Sequence, residues 1–307
     1  MANRPSLPPG LTVFERGWLS SNNILICGEQ SCALIDSGYA THAEQTVALV
    51  DSALADRSLD LLVNTHLHSD HCGGNAALQE RYPALQTLIP PGLSEYVRNW
   101  DPVALTFEPT GQLCPQFGFD SVLVPGSEMA LGDLHWEVHA APGHDSHSVI
   151  LFEPRSRTLI SADALWEVGF GVVFPELEGD AAFHEVAQTI DLIESLSPQI
   201  VIPGHGSPFS DVAKSIDTAR KRLDGFMVAP DRHIRYAAKV LVKFKLLEFQ
   251  NIELSALIAW ATSTPYFVTI YKQNFAEVDF PAWIEYLVTE LIKSGAASRD
   301  GTLIHNI

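Results

Sequence analysis

The chain has 307 residues, more than one hydrophobic core usually organises, so one large domain with an appendage is expected. Hydrophobic residues at 46% and charged ones at 18% describe a globular protein rather than a disordered or fibrous one. No apolar run approaches a bilayer span, and the start Met1-Ala2-Asn3-Arg4-Pro5-Ser6 lacks the apolar stretch of a signal peptide, so a cytoplasmic protein without a membrane partner is expected. Net charge is −18, and residues from 231 onward carry eight basic and eight acidic side chains, so the excess falls on residues 1 to 230. A nucleic-acid enzyme needs a basic surface, so the charge favours a small, neutral or weakly charged substrate and no nucleic acid.

In chain order, residues 10 to 35 read as three strands. The turn Gly28-Glu29-Gln30-Ser31 would let Cys27 and Cys32 face each other, but free thiols are expected in a chain without an export signal. His42 to Ala55 reads as a helix. The apolar run Leu61-Leu62-Val63 then delivers Thr65-His66-Leu67-His68-Ser69-Asp70-His71. Imidazole nitrogen and carboxylate oxygen are ordinary ligands of a borderline divalent ion such as zinc. An extended backbone puts His66 and His68 on one side, while Asp70 and His71 open the next helix and point at a second position nearby. A single buried histidine is usually a core residue; four ligand-type side chains in six positions are hard to explain that way. Cys72 reads as a small buried neighbour of the site rather than a ligand.

Further ligand types close later apolar stretches. His144 follows Trp136 to Ala141, Asp163 follows Thr158 to Ile160, and His205 follows Ile200 to Pro203. Residues 89 to 120 have weak periodicity and contain Trp100, as an inserted loop forming a pocket wall would. The run Leu165 to Phe174, with Trp166, Phe170, Phe174 and two glycines, is a second candidate wall. Phe183, Val186, Ile190, Ile193 and Leu196 recur at helical spacing, which predicts an amphipathic helix over 180–196. Beyond residue 230, Ile234 to Phe249, Leu254 to Thr262 and Pro281 to Lys293 read as helices. A hairpin follows over Gly295 to Ile307, turning at Arg299-Asp300-Gly301. Two domains are therefore expected, 1–230 carrying the site and 231–307 with a winged-helix-like pattern. Its zero net charge, with Phe244, Trp260, Trp283 and Tyr286 on helix faces, favours packing or a homodimer over DNA binding.

The ordered set Asp36 (in Leu34-Ile35-Asp36-Ser37-Gly38), His66-x-His68-x-Asp70-His71, His144, Asp163 and His205 resembles the metallo-β-lactamase-fold hydrolase superfamily over about residues 12 to 210. The resemblance implies an α+β fold, a four-layer αββα sandwich. It implies that His66, His68 and His144 hold one metal ion and Asp70, His71 and His205 another. Asp163 would bridge the two, and Asp36 would orient a ligand from behind. The cofactor expected is a pair of divalent ions, zinc first, with iron or manganese as alternatives.

Such a pair holds a bridging hydroxide that attacks a carbonyl or phosphoryl centre. Asp70 and Asp163 would keep the ions in place and relay a proton to the leaving group. The run Asp70-His71-Cys72-Gly73-Gly74-Asn75 is similar to the D-H-x-G-G-N of glyoxalase II thioesterases and acyl-homoserine lactonases. Two positions depart from those groups: Ser148 stands where a second histidine would follow His144, and Trp166 where the lactonases carry tyrosine. The expected function is hydrolysis of a small-molecule ester, thioester or lactone. The alternative is a metal-dependent nuclease or phosphodiesterase. A non-catalytic redox scaffold is opposed by His68, which di-iron relatives replace with glutamate.

Overall fold

Short aliphatic and β-branched runs, broken by glycine and proline turns, build most of the chain into two sheets flanked by helices. The computed structural model describes residues 5–179 and 181–307. The chain divides into two compact units. One comprises the residues up to Leu105 with Leu113–Asp224, the other Thr106–Gln112 with Gly225–Ile307.

The elements of the first unit are β1 (Leu11–Phe14), β2 (Asn23–Cys27), β3 (Cys32–Ile35), α1 (Ala43–Leu54), β4 (Leu61–Val63), α2 (Ser69–Cys72), α3 (Asn75–Arg81), β5 (Gln86–Ile89) and α4 (Ser94–Asn99). After α5 (Phe107–Thr110), which belongs to the second unit, come β6 (Ser121–Val122), β7 (Glu128–Leu131), β8 (Leu134–Ala140), β9 (Val149–Glu153), β10 (Thr158–Ala162), α6 (Pro175–Glu178), α7 (Ala182–Leu196), β11 (Ile200–Pro203) and α8 (Val212–Val228). One sheet has the order β1-β2-β3-β4-β5-β6, antiparallel up to β3 and parallel from there on. The other runs β11-β10-β9-β8-β7, with only β10 and β11 parallel.

Strand periodicity sorts the side chains between two cores. Ile24, Ile26, Ala33, Ile35 and Val63 face inward and meet Trp136, Val138, Val149, Leu151, Ile160 and Ile202 of the second sheet. Their alternates Leu25, Leu34 and Leu62 face outward, onto Val50 and Leu54 of α1 and Leu78 of α3. Two packed mixed sheets with helices outside are the expected αββα layers.

The expectation of free thiols at Cys27 and Cys32 does not hold. The β2–β3 register puts the two residues opposite each other, Cα atoms 4.2 Å apart, and their sulfurs are bonded. Cys72 and Cys114 are free.

In the second unit, α9 (Pro230–Phe249), β12 (Asn251–Glu253), α10 (Leu254–Ser263), α11 (Pro265–Asn274), α12 (Phe280–Lys293), β13 (Ala297–Asp300) and β14 (Leu303–Asn306) follow in order. The strands form an antiparallel sheet in the order β12-β14-β13. Three helices and a hairpin, as the sequence suggests, leave out α11 and β12. Pro265 cannot continue α10, and Thr264 before it is extended, so a new helix starts with proline at its first turn. Trp283, Leu287, Phe267 and Leu257 are buried there, whereas Tyr286 is exposed. Among the described residues, no helix is long and apolar enough to cross a membrane.

Leu151 is fully buried between the two sheets. Leu151→Ala should lower unfolding free energy by about 2–5 kcal/mol, read as a lower urea midpoint at unchanged slope.

Candidate metal centre

Every strand that brings a ligand type ends at the same edge. β4 stops at Val63, and His66 and His68 follow in the loop, their rings 4.7 Å apart. α2 supplies Asp70 and His71 within one turn. His144 follows β8, Asp163 follows β10, and His205 follows β11. Ala162, just before Asp163, has φ +46°, a left-handed conformation costly for alanine, so the surrounding packing enforces it.

The side chains converge closely. His68 Nδ1 lies 2.8 Å from His144 Nε2. Asp163 reaches His71 Nε2 with Oδ1 at 3.4 Å and His144 Nε2 with Oδ2 at 3.4 Å. Asp70 Oδ2 is 3.1 Å from His205 Nε2 and 3.9 Å from His71 Nε2. Among the described residues, three triads have ligand atoms all within 4.8 Å of one another: His66, His68 and His144; His66, His71 and Asp163; Asp70, His71 and His205. All seven residues are therefore brought together, and all but His68 and Asp70 are buried.

Hydrogen bonds behind the rings fix their tautomers. Asp36 accepts from His71 Nδ1 at 2.8 Å, Thr65 Oγ1 at 2.8 Å and the Thr65 amide at 2.9 Å. Because Thr65 gives its hydroxyl proton to Asp36, His66 Nδ1, 3.1 Å from that oxygen, must donate to it. His144 Nδ1 donates to the Val172 carbonyl at 2.5 Å. Each of these three histidines thus turns its Nε2 lone pair inward. Among the described residues, His66 Nε2 and His71 Nε2 are buried without a hydrogen-bond partner. Lone pairs aimed at one another and at carboxylates, in a dry site, fit a cation.

Electrostatics carry the same demand. Burial opposes charge on His71, yet the carboxylates of Asp36, Asp163 and Asp70 hold its pKa well above the usual value. A proton there answers the need a metal would answer. Burial also works against ionised Asp163, but His205, His71 and His144 hold its carboxyl well below the usual range. His66 is driven well below its ordinary value by burial and then by its imidazole neighbours.

Of the candidate wall residues, Trp166 reaches the ligands directly. Its indole N–H donates to Asp163 Oδ1 at 3.2 Å, and its ring stands 5.4 Å from His205. Trp100 packs edge-on to Phe117, and Phe170 and Phe174 are buried, Phe170 lying under the Arg222 guanidinium. Sequence reasoning does not find Trp18, which is 56% exposed, stacks on His205 at 5.4 Å and meets Trp166 at 5.3 Å. Nor does it find Thr65 and the Val172 carbonyl. Thr65 precedes His66 directly, a signal that could mark it; nothing local marks the other two.

The profile of the metallo-beta-lactamase superfamily matches residues 16–205. The chain belongs to the metallo-beta-lactamase superfamily. That match, together with similarity to known hydrolases, indicates a metal-dependent hydrolase. It is 27% identical to a hydroxyacylglutathione hydrolase of Brucella anthropi over 201 residues, 65% of this chain and 64% of that relative's length. A protein of the same name from Brucella ovis is 23% identical over 217 residues, 70% of this chain and 71% of that one. A metallo-beta-lactamase family protein from Thermus thermophilus has the same fold over 98% of this chain and all of its own, with TM-score 0.58 at 17% identity. A metallo-beta-lactamase from Cronobacter sakazakii superposes with TM-score 0.58 at 16% identity, covering 72% of this chain and 92% of that one.

Gly204 packs where an added Cβ would overlap Asp163 Oδ1 and lie 2.9 Å from His71 Cε1. Gly204→Ala should therefore lose metal while remaining folded by circular dichroism. Asp36→Asn should weaken metal affinity about 10- to 100-fold, measured by chelator competition.

Proposed function

We propose that this protein is a dinuclear hydrolase of small-molecule esters, thioesters or lactones. In this reading His66, His68 and His144 hold one divalent ion, Asp70, His71 and His205 the other, and Asp163 lies between them. Zinc suits the donor set, three imidazoles on one side and mixed imidazole and carboxylate on the other. The observation that carries the reading is the convergence of inward lone pairs on one buried point, with Asp163 within 3.4 Å of His71 and of His144.

Bound divalent ions supply a Lewis acid and lower the pKa of water from 15.7 to about 7. The chain's own groups do the rest. Asp36, through His71 and Thr65, keeps the rings in their required tautomers. Asp70 and Asp163 are the carboxylates placed to pass a proton toward a leaving group. Trp18 and Trp166 form an apolar rim beside His205, where an acyl group can shed water. The appended residues 231–307, electrically neutral overall, we read as a separate helical domain used for packing or self-association.

Metal-reconstituted protein should hold about two equivalents by elemental analysis. His68→Ala should lose about one equivalent and nearly all turnover, whereas His147→Ala, an exposed residue whose ring packs on Gly92, should keep both. One equivalent or none in the parent protein would end the dinuclear reading.

Burial of a methylene is favourable by roughly 0.8 kcal/mol, so kcat/KM should rise by up to about fourfold per methylene across a short acyl ester or thioester series. It should also exceed turnover of a bis-aryl phosphodiester. The reverse order, or turnover of single-stranded RNA at low salt, would favour a phosphodiesterase.

A further inference from the structure

We propose that Cys72 and Cys114 form a second, reversible disulfide, an oxidation site at the back of the metal-binding helix. With Cys27 and Cys32 bonded to each other, these are the two remaining thiols of the chain. Their sulfurs lie 3.8 Å apart although 42 positions separate them in sequence. Closing the bond needs the sulfurs to approach to about 2.05 Å.

The fold decides which side moves. Cys72 ends α2, whose His71 carbonyl accepts from the Ser37 amide at 2.7 Å, Ser37 Oγ at 3.1 Å and Asn64 Nδ2 at 3.3 Å. Gly73 is packed so closely that a Cβ there would lie 2.6 Å from the Ala40 nitrogen. α2 is therefore held. Cys114 lies in an irregular stretch between Leu113 and Asp120 that belongs to no helix or strand, and it is half-buried where Cys72 is fully buried. That stretch is tied on either side of Cys114, at Leu113 by its amide to Tyr39 Oη at 3.0 Å and at Gly118 by two hydrogen bonds with Gln79 at 2.7 and 3.1 Å. Among the described residues, the Cys114 thiol itself bonds only to its neighbour's carbonyl, Pro115 O, and faces Cys72. The approach falls to Cys114, which is also the sulfur an oxidant reaches first.

Hydrogen peroxide is a sufficient oxidant. The Cys114 thiol displaces water from the O–O bond and becomes a sulfenic acid. The Cys72 thiol then attacks that sulfur, the S–S bond forms, and a second water leaves; two thiols are oxidised and one peroxide is reduced. Oxidation also removes the hydrogen that Cys72 Sγ donates to the His68 carbonyl at 3.3 Å, within the loop that carries His68.

The test treats full-length, metal-loaded protein with one equivalent of hydrogen peroxide and then counts thiols under denaturing conditions. The expected result is a fall from about two free thiols to none. A peptide pair joining Cys72 to Cys114 should appear, and dithiothreitol should abolish that pair. Cys114→Ser should keep basal hydrolysis unchanged and form no intramolecular crosslink. Two thiols surviving, a sulfinic acid on Cys114 without a crosslink, or a dimer on a non-reducing gel would each overturn the proposal.

Discussion

A single carboxylate organises the centre. Asp36 stands one residue beyond β3, with φ +57°, a backbone conformation that its short polar side chain tolerates better than a branched one. It takes three hydrogen bonds, two from Thr65 and one from His71, and through Thr65 it controls His66. Two rings from different turns of the chain are thereby given one shared orientation. Replacing that carboxylate by an amide would remove one acceptor and its charge, loosening both orientations even with every ligand present.

The sheets explain why this can happen at one point. β3, β4, β10 and β11 end near one another, and the inner faces between them are filled by Ile35, Val63, Ile160 and Ile202. A packed core of that kind resists compression, so the loops beyond it inherit fixed origins. Asn22 adds a cross-tie: its amide group donates to the carbonyls of Pro203 at 3.0 Å and Gly206 at 2.7 Å, holding the His205 loop against the first sheet. Glycine then permits the final approach. At Gly171 a Cβ would sit 2.6 Å from His144 Nδ1, so only glycine allows the segment bearing Val172 to reach that ring.

Much of this is legible in the sequence. The compression of His66, His68, Asp70 and His71 into six positions marks the site without any structure, because few other pressures assemble those side chains so densely. β2 and β3 are apolar nearly throughout, so the sequence marks them as buried strands without saying which residues face which core. Contacts set by distant packing are what local pattern cannot carry. Trp18 reaches His205 across the fold, and Val172 meets His144 by its backbone, which has no side-chain signature. Cys27 and Cys32 are readable as neighbours but not as a bond, since compartment and register point opposite ways. α11 escapes notice because aromatic and β-branched residues after Pro265 give a weak helical signal.

The acidity of the chain and the chemistry of the site answer different problems. At the centre, Asp36, Asp70 and Asp163 contribute three negative charges in a dry volume, which two divalent ions and a hydroxide between them would bring to zero. Around it lies a surface whose excess is entirely negative, because residues from 231 onward are balanced. Screening confines surface charge to about 8–10 Å at physiological salt, so the outer field governs approach and the inner field governs reaction. The negative excess of residues 1–230 slows the approach of a polyanion at low salt. In the proposed function, a neutral carbonyl compound acquires negative charge only in the transition state, where a bound divalent ion would stabilise it. That ordering favours neutral acyl compounds over polyanions on grounds independent of any wall residue.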